Sequence, residues 1–410
     1  MNDRFANGRS LPLAACVALA FASGPIAAGG THFPVAHGFR AEAAAARSGS
    51  RTRHQAPRAP VTTPVTSCTD DGTPGELRAV INDAISGDTI DLSALTCSTI
   101  TLTQGAIGIV TDLTIHGPTD AVLTIDGNGT DSIFVGLNSF TTVIDHLTIA
   151  HGRYDGMPGY AYVLGGCTFF QGPVELHYVT ITDCSIGTAD IPGYGGALYA
   201  PGPALITSST ISASTGYAAA GVLVPGDVQL INSTVTGNYA SFIAGGLSTV
   251  GTLIAHNSTI AFNTAGYAVG GIFLQGDPAP EIESTIIADN GAPSGAPYAA
   301  DIGGNVTNPI AGSHDLIVAS NLPVPADTLS ADPMLAPLAY NGGITPTHAL
   351  AAASPAIDTG SNVDALLFDQ RGDGYPRVSG AAPDIGAFEL QPVSDTIFAN
   401  GFENGFENGP

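Results

Sequence analysis

A short alternation of apolar and polar positions, built on threonine, recurs through the middle of the chain. Its copies are Ile100-Thr101-Leu102, Leu123-Thr124-Ile125, Leu147-Thr148-Ile149, Val179-Thr180-Ile181, Ser209-Thr210-Ile211, Ser233-Thr234-Val235, Ser258-Thr259-Ile260 and Ser284-Thr285-Ile286. Their starts are 23, 24, 32, 30, 24, 25 and 26 residues apart. A period in the twenties marks a solenoid, in which each repeat buries its apolar side against its neighbours. The triplets are β-branched and alternate, so they predict short strands rather than helical turns. Their third residue, always Leu, Ile or Val, is expected to point inward and the threonine outward.

The rest of each repeat keeps the same time. Gly105, Asn128, Gly152, Cys184, Ser214, Asn238, Asn263 and Asp289 follow five residues after each triplet begins and suit tight turns. Glycine pairs come next in four repeats, at 165–166, 195–196, 245–246 and 270–271, with Ala220-Gly221 in a fifth. Apolar runs such as Ala197-Leu198-Tyr199 and Ile272-Phe273-Leu274 follow, and a further glycine closes each run. One repeat is therefore strand, turn, strand, turn, strand. The fold class is all-β: a single-stranded right-handed parallel β-helix, a pectin-lyase-like solenoid. Coils stacked about 4.8 Å apart make about nine turns roughly 45 Å long.

The ends need covering, because open sheet edges invite association. Thr73-Pro74-Gly75-Glu76 has the form of a capping box, and Leu77, Val80, Ile81, Ala84 and Ile85 make one helical stripe. Residues 73–86 are expected to form a capping helix over the first coil. The β-helix is assigned to residues 67–310, a C-terminal cap to 311–392 and a flexible tail to 393–410. Residues 1–28 have the form of a signal peptide, with Arg4 and Arg9 before the apolar stretch from Leu11 to Ala22. Residues 29–66, rich in Ala, Arg, His and Pro, are expected to be a disordered linker. Cys68, Cys97, Cys167 and Cys184 remain after the signal, and pairs 68–97 and 167–184 are expected.

The C-terminal third carries a resemblance. Ser354-Pro355-Ala356-Ile357-Asp358-Thr359-Gly360, Asp369-Gln370-Arg371-Gly372 and Asp384-Ile385-Gly386-Ala387-Phe388-Glu389 occur in that order. This region resembles the bacterial choice-of-anchor Q proteins, exported β-helix proteins with S-P-A-I-D-x-G, D-Q-R-G and D-I-G-A-x-E elements. Gly195-Gly196-Ala197-Leu198 is similar to the G-G-A-I units of polymorphic outer-membrane proteins and other autotransporter passengers. The resemblance spans residues 67–390. It implies secretion and surface exposure, with no established chemistry.

Charge narrows the function classes. The chain has no lysine, which excludes a lysine base or Schiff base. From residue 61 onward there are 33 acids and four arginines, a balance of −29. So acidic a body should not hold nucleic acid or anionic lipid by charge. No stretch is long enough for a transmembrane segment. The acidity leaves room for calcium, but no G-G-x-G-x-D repeat is present, and no cofactor or metal site is assigned. A lyase or hydrolase acting on polysaccharide is the alternative function, yet Arg153 is the single basic residue between Arg78 and Arg371. No residue set is assigned a catalytic role. Asp145, His151 and Asp155 are the one histidine–carboxylate grouping considered, while His146 is expected to belong to a solvated stripe.

The stronger signal is where repeats swell. The 32- and 30-residue steps insert at the same turn of successive coils, so residues 150–164 and 185–194 should be adjacent loops. They carry Arg153, Tyr154, Asp155, Tyr160, Tyr162, Asp190 and Tyr194, a candidate strip for an extracellular glycan or surface protein. The competing reading is that these tyrosines cover coil edges. A monomeric, secreted or surface-bound rod is expected. The outward threonines, as in Thr180/Thr182 and Thr234/Thr236, also resemble the flat ladder of ice-binding solenoids.

Overall fold

The computed structural model describes residues 58–157, 160–276 and 278–392. The segments assigned as signal peptide and tail, and most of that assigned as linker, lie outside the described residues. The chain forms a right-handed parallel β-helix of about nine turns. Three sheets of nine, nine and eight strands run its length. The first face begins at Thr62–Pro64, which pairs with Asp88–Asp91, so ordered coil starts inside the segment assigned to the linker. The second is the threonine face, from Thr99–Thr101 to Leu316–Ile317. The third runs from Ile107–Ile109 to Ile302–Gly304.

On the threonine face the inward column is Ile100, Ile125, Ile149, Ile181, Ile211, Val235, Ile260, Ile287 and Ile317, all in one core cluster. The predicted triplets hold in the middle of the rod and slip at both ends, by two residues at the first coil and by one at the last. Thr124 opposes Thr99 rather than Thr101, and Thr259 opposes Ile286 rather than Thr285. The glycine pairs also divide into two registers: Gly195-Gly196 aligns with Ala219-Ala220 and Ala244-Gly245. At Gly196 space requires glycine, since a Cβ there would lie 2.4 Å from the Ala220 carbonyl oxygen, although alanine fits at the aligned position 220.

The corners are left-handed. His146, Tyr178, Ser208, Asn232, Asn257 and Ser284 leave the first face with φ of 46–55°, and Asn128, His151, Asp183, Ala213, Phe262 and Asp289 leave the threonine face with φ of 52–59°. Such residues cost roughly 1–2 kcal/mol each, and buried polar ladders beside them hold the corners. In one ladder Val179 N donates to Ser209 Oγ at 2.9 Å, Ser209 N to Ser233 Oγ at 3.1 Å and Ser233 N to Ser258 Oγ at 3.1 Å. It continues through Thr285 to Asp315 Oδ1. In the other, Ser214 N donates to Asn238 Oδ1, Asn238 N to Asn263 Oδ1 and Asn263 N to Asn290 Oδ1, at 3.0, 3.1 and 3.0 Å. The turn column therefore passes through Asn290, not Asp289, and ends on Asp301 Oδ1, which accepts Asn290 N at 3.0 Å.

Asp315 closes its ladder under strain of charge. One carboxylate oxygen accepts from Thr285 N at 3.1 Å, while Oδ2 is buried without a partner. Burial, reinforced by Glu283 and Asp327 against the pull of the Thr285 amide, pushes its carboxyl up to about 8. The folded chain thus holds a proton that the unfolded chain, titrating near 3.9, has released, and stability falls as pH rises across that interval. Asp315→Asn should remove this component: the stability difference, wild type minus variant, shrinks between pH 5 and pH 8 in thermal melts. Parallel pH profiles for the two proteins would refute it.

The N-terminal plug is shorter than predicted. The helix is Leu77–Asn82, buries Leu77 and Ile81 and has no side-chain cap. The capping box does not form, because Glu76 is turned back to accept the amides of Asp71 and Gly72 at 2.9 and 3.0 Å. Arg78 secures the plug, bonding Asp70 and the carbonyls of Gly105 and Ala106. Both expected disulfides, Cys68–Cys97 and Cys167–Cys184, are formed.

The C-terminal region departs most from the sequence reading. Only its first part closes the end of the shaft, where Ile310 and Leu322 join the core. Beyond it the chain folds back and lies along the threonine face as an apron. Thr210 Oγ1 donates to Pro346 O at 2.6 Å, Thr234 Oγ1 to Gln370 Oε1 at 2.6 Å, and Ala387 N to Thr259 Oγ1 at 3.1 Å. Thr236 bonds His348 at 2.9 Å, and the Gly372 turn rests by Tyr178. Ile286 and Leu316 bury beneath Leu350, Ile385 and Phe388. Thr210, Thr234 and Thr259 point outward as expected, whereas Thr285 sits in the buried polar ladder; the outward three are themselves buried under the apron, so they form no open ice-binding ladder.

Candidate functional site

The long turns do meet. Arg153–Tyr154, Ser185–Ile186, Thr215–Ala218, Tyr239–Ile243 and Thr264–Ala265, with Val163–Leu164 and Gly193–Tyr194, make a fourth, seven-stranded parallel sheet outside the shaft. Arg153 opposes Ser185, Ser185 opposes Thr215, Thr215 opposes Tyr239, and Tyr239 opposes Thr264. This column faces solvent along most of its length, with Tyr239 48% exposed. Three sheets suffice to enclose the shaft, so the loop sheet is an added, ordered surface.

Its inner side is aromatic. Tyr162 and Tyr194 meet edge-on at 6.1 Å, Tyr194 and Tyr217 at 5.8 Å. Tyr217, Phe242 and Tyr267 then stack at 5.1 and 5.0 Å. With Phe169 and Tyr199 of the third face all of these except the exposed Tyr267 form a second apolar cluster between loop sheet and shaft. Stacking at coil spacing uses the ring faces on each other, leaving mainly edges to a ligand.

Of the candidate strip, Arg153 is exposed and forms an ion pair with Asp155 at 2.9 Å. Asp190 is exposed at a turn whose Ile191 amide donates to Thr188 Oγ1 at 3.2 Å. Tyr154, Tyr160 and Tyr162 are half-buried. Burial, then the neighbouring Tyr160 and Asp131, pushes the Tyr154 hydroxyl up to about 12. Tyr194 is buried, packed as the edge-covering reading has it. In the sequence the shorter copies of the long turns hold Tyr217, Tyr239 and Tyr267, and the structure puts Tyr239 on the outer column of this sheet.

The grouping of Asp145 with His151 and Asp155 is not what forms. His151 bonds Asp126 at 3.1 Å, and Asp155 bonds Arg153. Asp145 instead accepts from two other histidines. His116 sits opposite it in the neighbouring coil, Nδ1 to Oδ2 2.8 Å, and His146, the next residue, is bonded through Nδ1 to Oδ1. His146 lies at a left-handed corner, with the Tyr178 ring stacked on it at 4.8 Å. Burial raises the Asp145 carboxyl, but the two histidines outweigh it and hold the group below the usual carboxylate range. The column reads Asp91, His116, Asp145, His177 in consecutive coils, an alternation of acid and imidazole. His116, Asp145 and His146 each offer an atom within 4.8 Å of the others and are the one set of three or more ligating side chains so grouped among the described residues.

Every described arginine contacts a carboxylate: Arg58 with Asp88, Arg78 with Asp70, Arg153 with Asp155, Arg371 with Asp369 and Arg377 with Glu389. No helix among the described residues is long and apolar enough to cross a membrane.

Fold and stapling define the class: a disulfide-bonded right-handed parallel β-helix with a loop sheet on one side and an apron on another. No family model matches the chain, and no curated protein matches it. Among solved structures it is similar to the crystal structure of pectate lyase Pel9A, at 13% identity and a TM-score of 0.35 over 80% of this chain and 96% of that one. That level of likeness transfers no residue role.

Proposed function

We propose that this chain is an exported β-helix of the choice-of-anchor Q type, a secreted or surface-held binding and structural module for an extracellular glycan or protein. The observation that carries the reading is the loop sheet. Turns of five successive coils are extended and paired into a continuous surface that the shaft does not require, and solenoid insertions commonly mark a binding face. Two disulfides suit an oxidising compartment. The acidic body favours neutral or cationic partners over polyanions. Enzymatic action on polysaccharide is less well supported, since the only arginine on that sheet is already paired with Asp155.

The test is a glycan and cell-surface binding screen of the mature protein, followed by Arg153→Ala/Tyr239→Ala. Exposed Arg and Tyr contribute roughly 2 kcal/mol each when they anchor an interface, so the double variant should lose at least tenfold in affinity. Its melting temperature should stay close to wild type, because surface substitutions cost only about 0.5 kcal/mol. Undiminished binding would sink the site. New reducing ends or unsaturated products from a polysaccharide panel, with or without calcium, would replace the reading with an enzymatic one.

A further inference from the structure

We propose that His116, Asp145 and His146 bind a single transition-metal ion of the zinc or copper type on the first face of the rod. Two imidazoles and one carboxylate are a donor set for zinc, copper or nickel, whereas calcium takes six to eight oxygens. One ligand atom from each residue lies within 4.8 Å of the other two. Tetrahedral zinc, with bonds of about 2.0–2.1 Å, holds its ligands roughly 3.3 Å apart. The difference, at most about 1.5 Å between any two ligand atoms, is within the reach of side-chain rotation.

The backbone already fixes all three. His116 and Asp145 are paired across neighbouring coils. His146 is set by its φ of 55° and by the Tyr178 ring against it. Side-chain exposures of 33%, 24% and 17% leave the group reachable by an ion from solution and leave room for water as a further ligand. Asp91, opposite His116 in the preceding coil, offers a second carboxylate at the margin. His177 continues the column on the other side, but its Nδ1 is bonded to Thr207 at 2.6 Å, which turns it away from this group.

The experiment is titration of the full chain, stripped with chelator, with zinc chloride by calorimetry, and with copper(II) by electron paramagnetic resonance. One ion per chain is expected at this site, with two-nitrogen coupling in the copper spectrum. His116→Gln and His146→Asn should each weaken binding at least tenfold and remove one nitrogen; asparagine tolerates the left-handed corner. His177→Gln should leave affinity unchanged. Should His146→Asn fold poorly, His116→Gln, at a strand end, decides alone. Equal affinity in wild type and His116→Gln, or no binding at millimolar zinc, overturns the proposal.

Discussion

Replacing Arg377 with alanine should release the apron from the threonine face while the shaft stays folded. Arg377 is fully buried, and its guanidinium donates to Glu389 Oε2 at 2.9 Å, Gly386 O at 2.8 Å and Asp384 O at 3.1 Å. Glu389 in turn accepts the amides of Ser379 and Asp384, each at 2.8 Å. Burial already raises both Glu389 and Asp384. Taking away the cation leaves an acid with no counter-charge in the interior, at a cost of about 3–5 kcal/mol. Apart from the backbone bond of Gly386 N to Ser284 O, apron and shaft meet through side-chain bonds such as Thr234 to Gln370, while the coils are joined by backbone ladders, so the loss falls on the apron. Hydrogen exchange should show the amides of Ile385 and Ala387 losing protection while those of Val174–His177 keep theirs. Adding Glu389→Gln should recover part of the loss, because the orphaned charge disappears. Unchanged protection at Ala387 in the single variant would refute the apron's dependence on this pair.

That dependence shows what was legible in the sequence. The elements of residues 354–389 stood out as motifs, yet nothing in their spacing said what they do. In the fold they are clamps: Asp369 holds Arg371, Gln370 bonds Thr210 and Thr234, Arg377 holds Glu389. Those contacts cross up to 160 residues, and no local pattern encodes a partner so distant. The inward isoleucines were legible because a period-two strand repeated at coil spacing specifies its own face. Register failed where that signal is symmetric. Ile100 lies between Thr99 and Thr101, and Thr285 precedes two isoleucines, so either reading satisfies alternation locally. Only pairing with the neighbouring coil breaks the tie. The same ambiguity hid the metal-type cluster. Asp145 is a neighbour of His116 because their strands pair. Proximity along the chain points instead to His151, which turns the corner and bonds Asp126. The loop strip was legible as a place, through its long steps, but which tyrosines face inward depends on how the inserted turns pair.

Asn263→Ala should be the most damaging single change within the shaft. The side chain is fully buried in the turn column and completes bonds in three directions. Its oxygen accepts Asn238 N at 3.1 Å and Asn238 Nδ2 at 2.9 Å. Its Nδ2 donates to Val235 O at 2.9 Å, Ala261 O at 3.1 Å and Asn290 Oδ1 at 3.0 Å. Alanine strands donors and acceptors in the coils on either side, and each orphan costs about 1–3 kcal/mol. Some relax, so a total of about 3–5 kcal/mol is expected. The neighbouring corner adds to this, since Phe262 holds φ at 58° beside the ladder. Asn263→Ser should cost less, because Ser214 fills the same column and still accepts from Cys184 N at 3.4 Å and donates to Ser212 O at 3.0 Å. In a solenoid each coil leans only on its neighbours. The alanine variant should therefore split unfolding into two transitions, with exchange rising first at Val235, Ile260 and their coil neighbours, and denaturant melts should resolve them. A single transition displaced by less than about 1 kcal/mol would mean that the ladder is ornament and the isoleucine column alone holds the turns together.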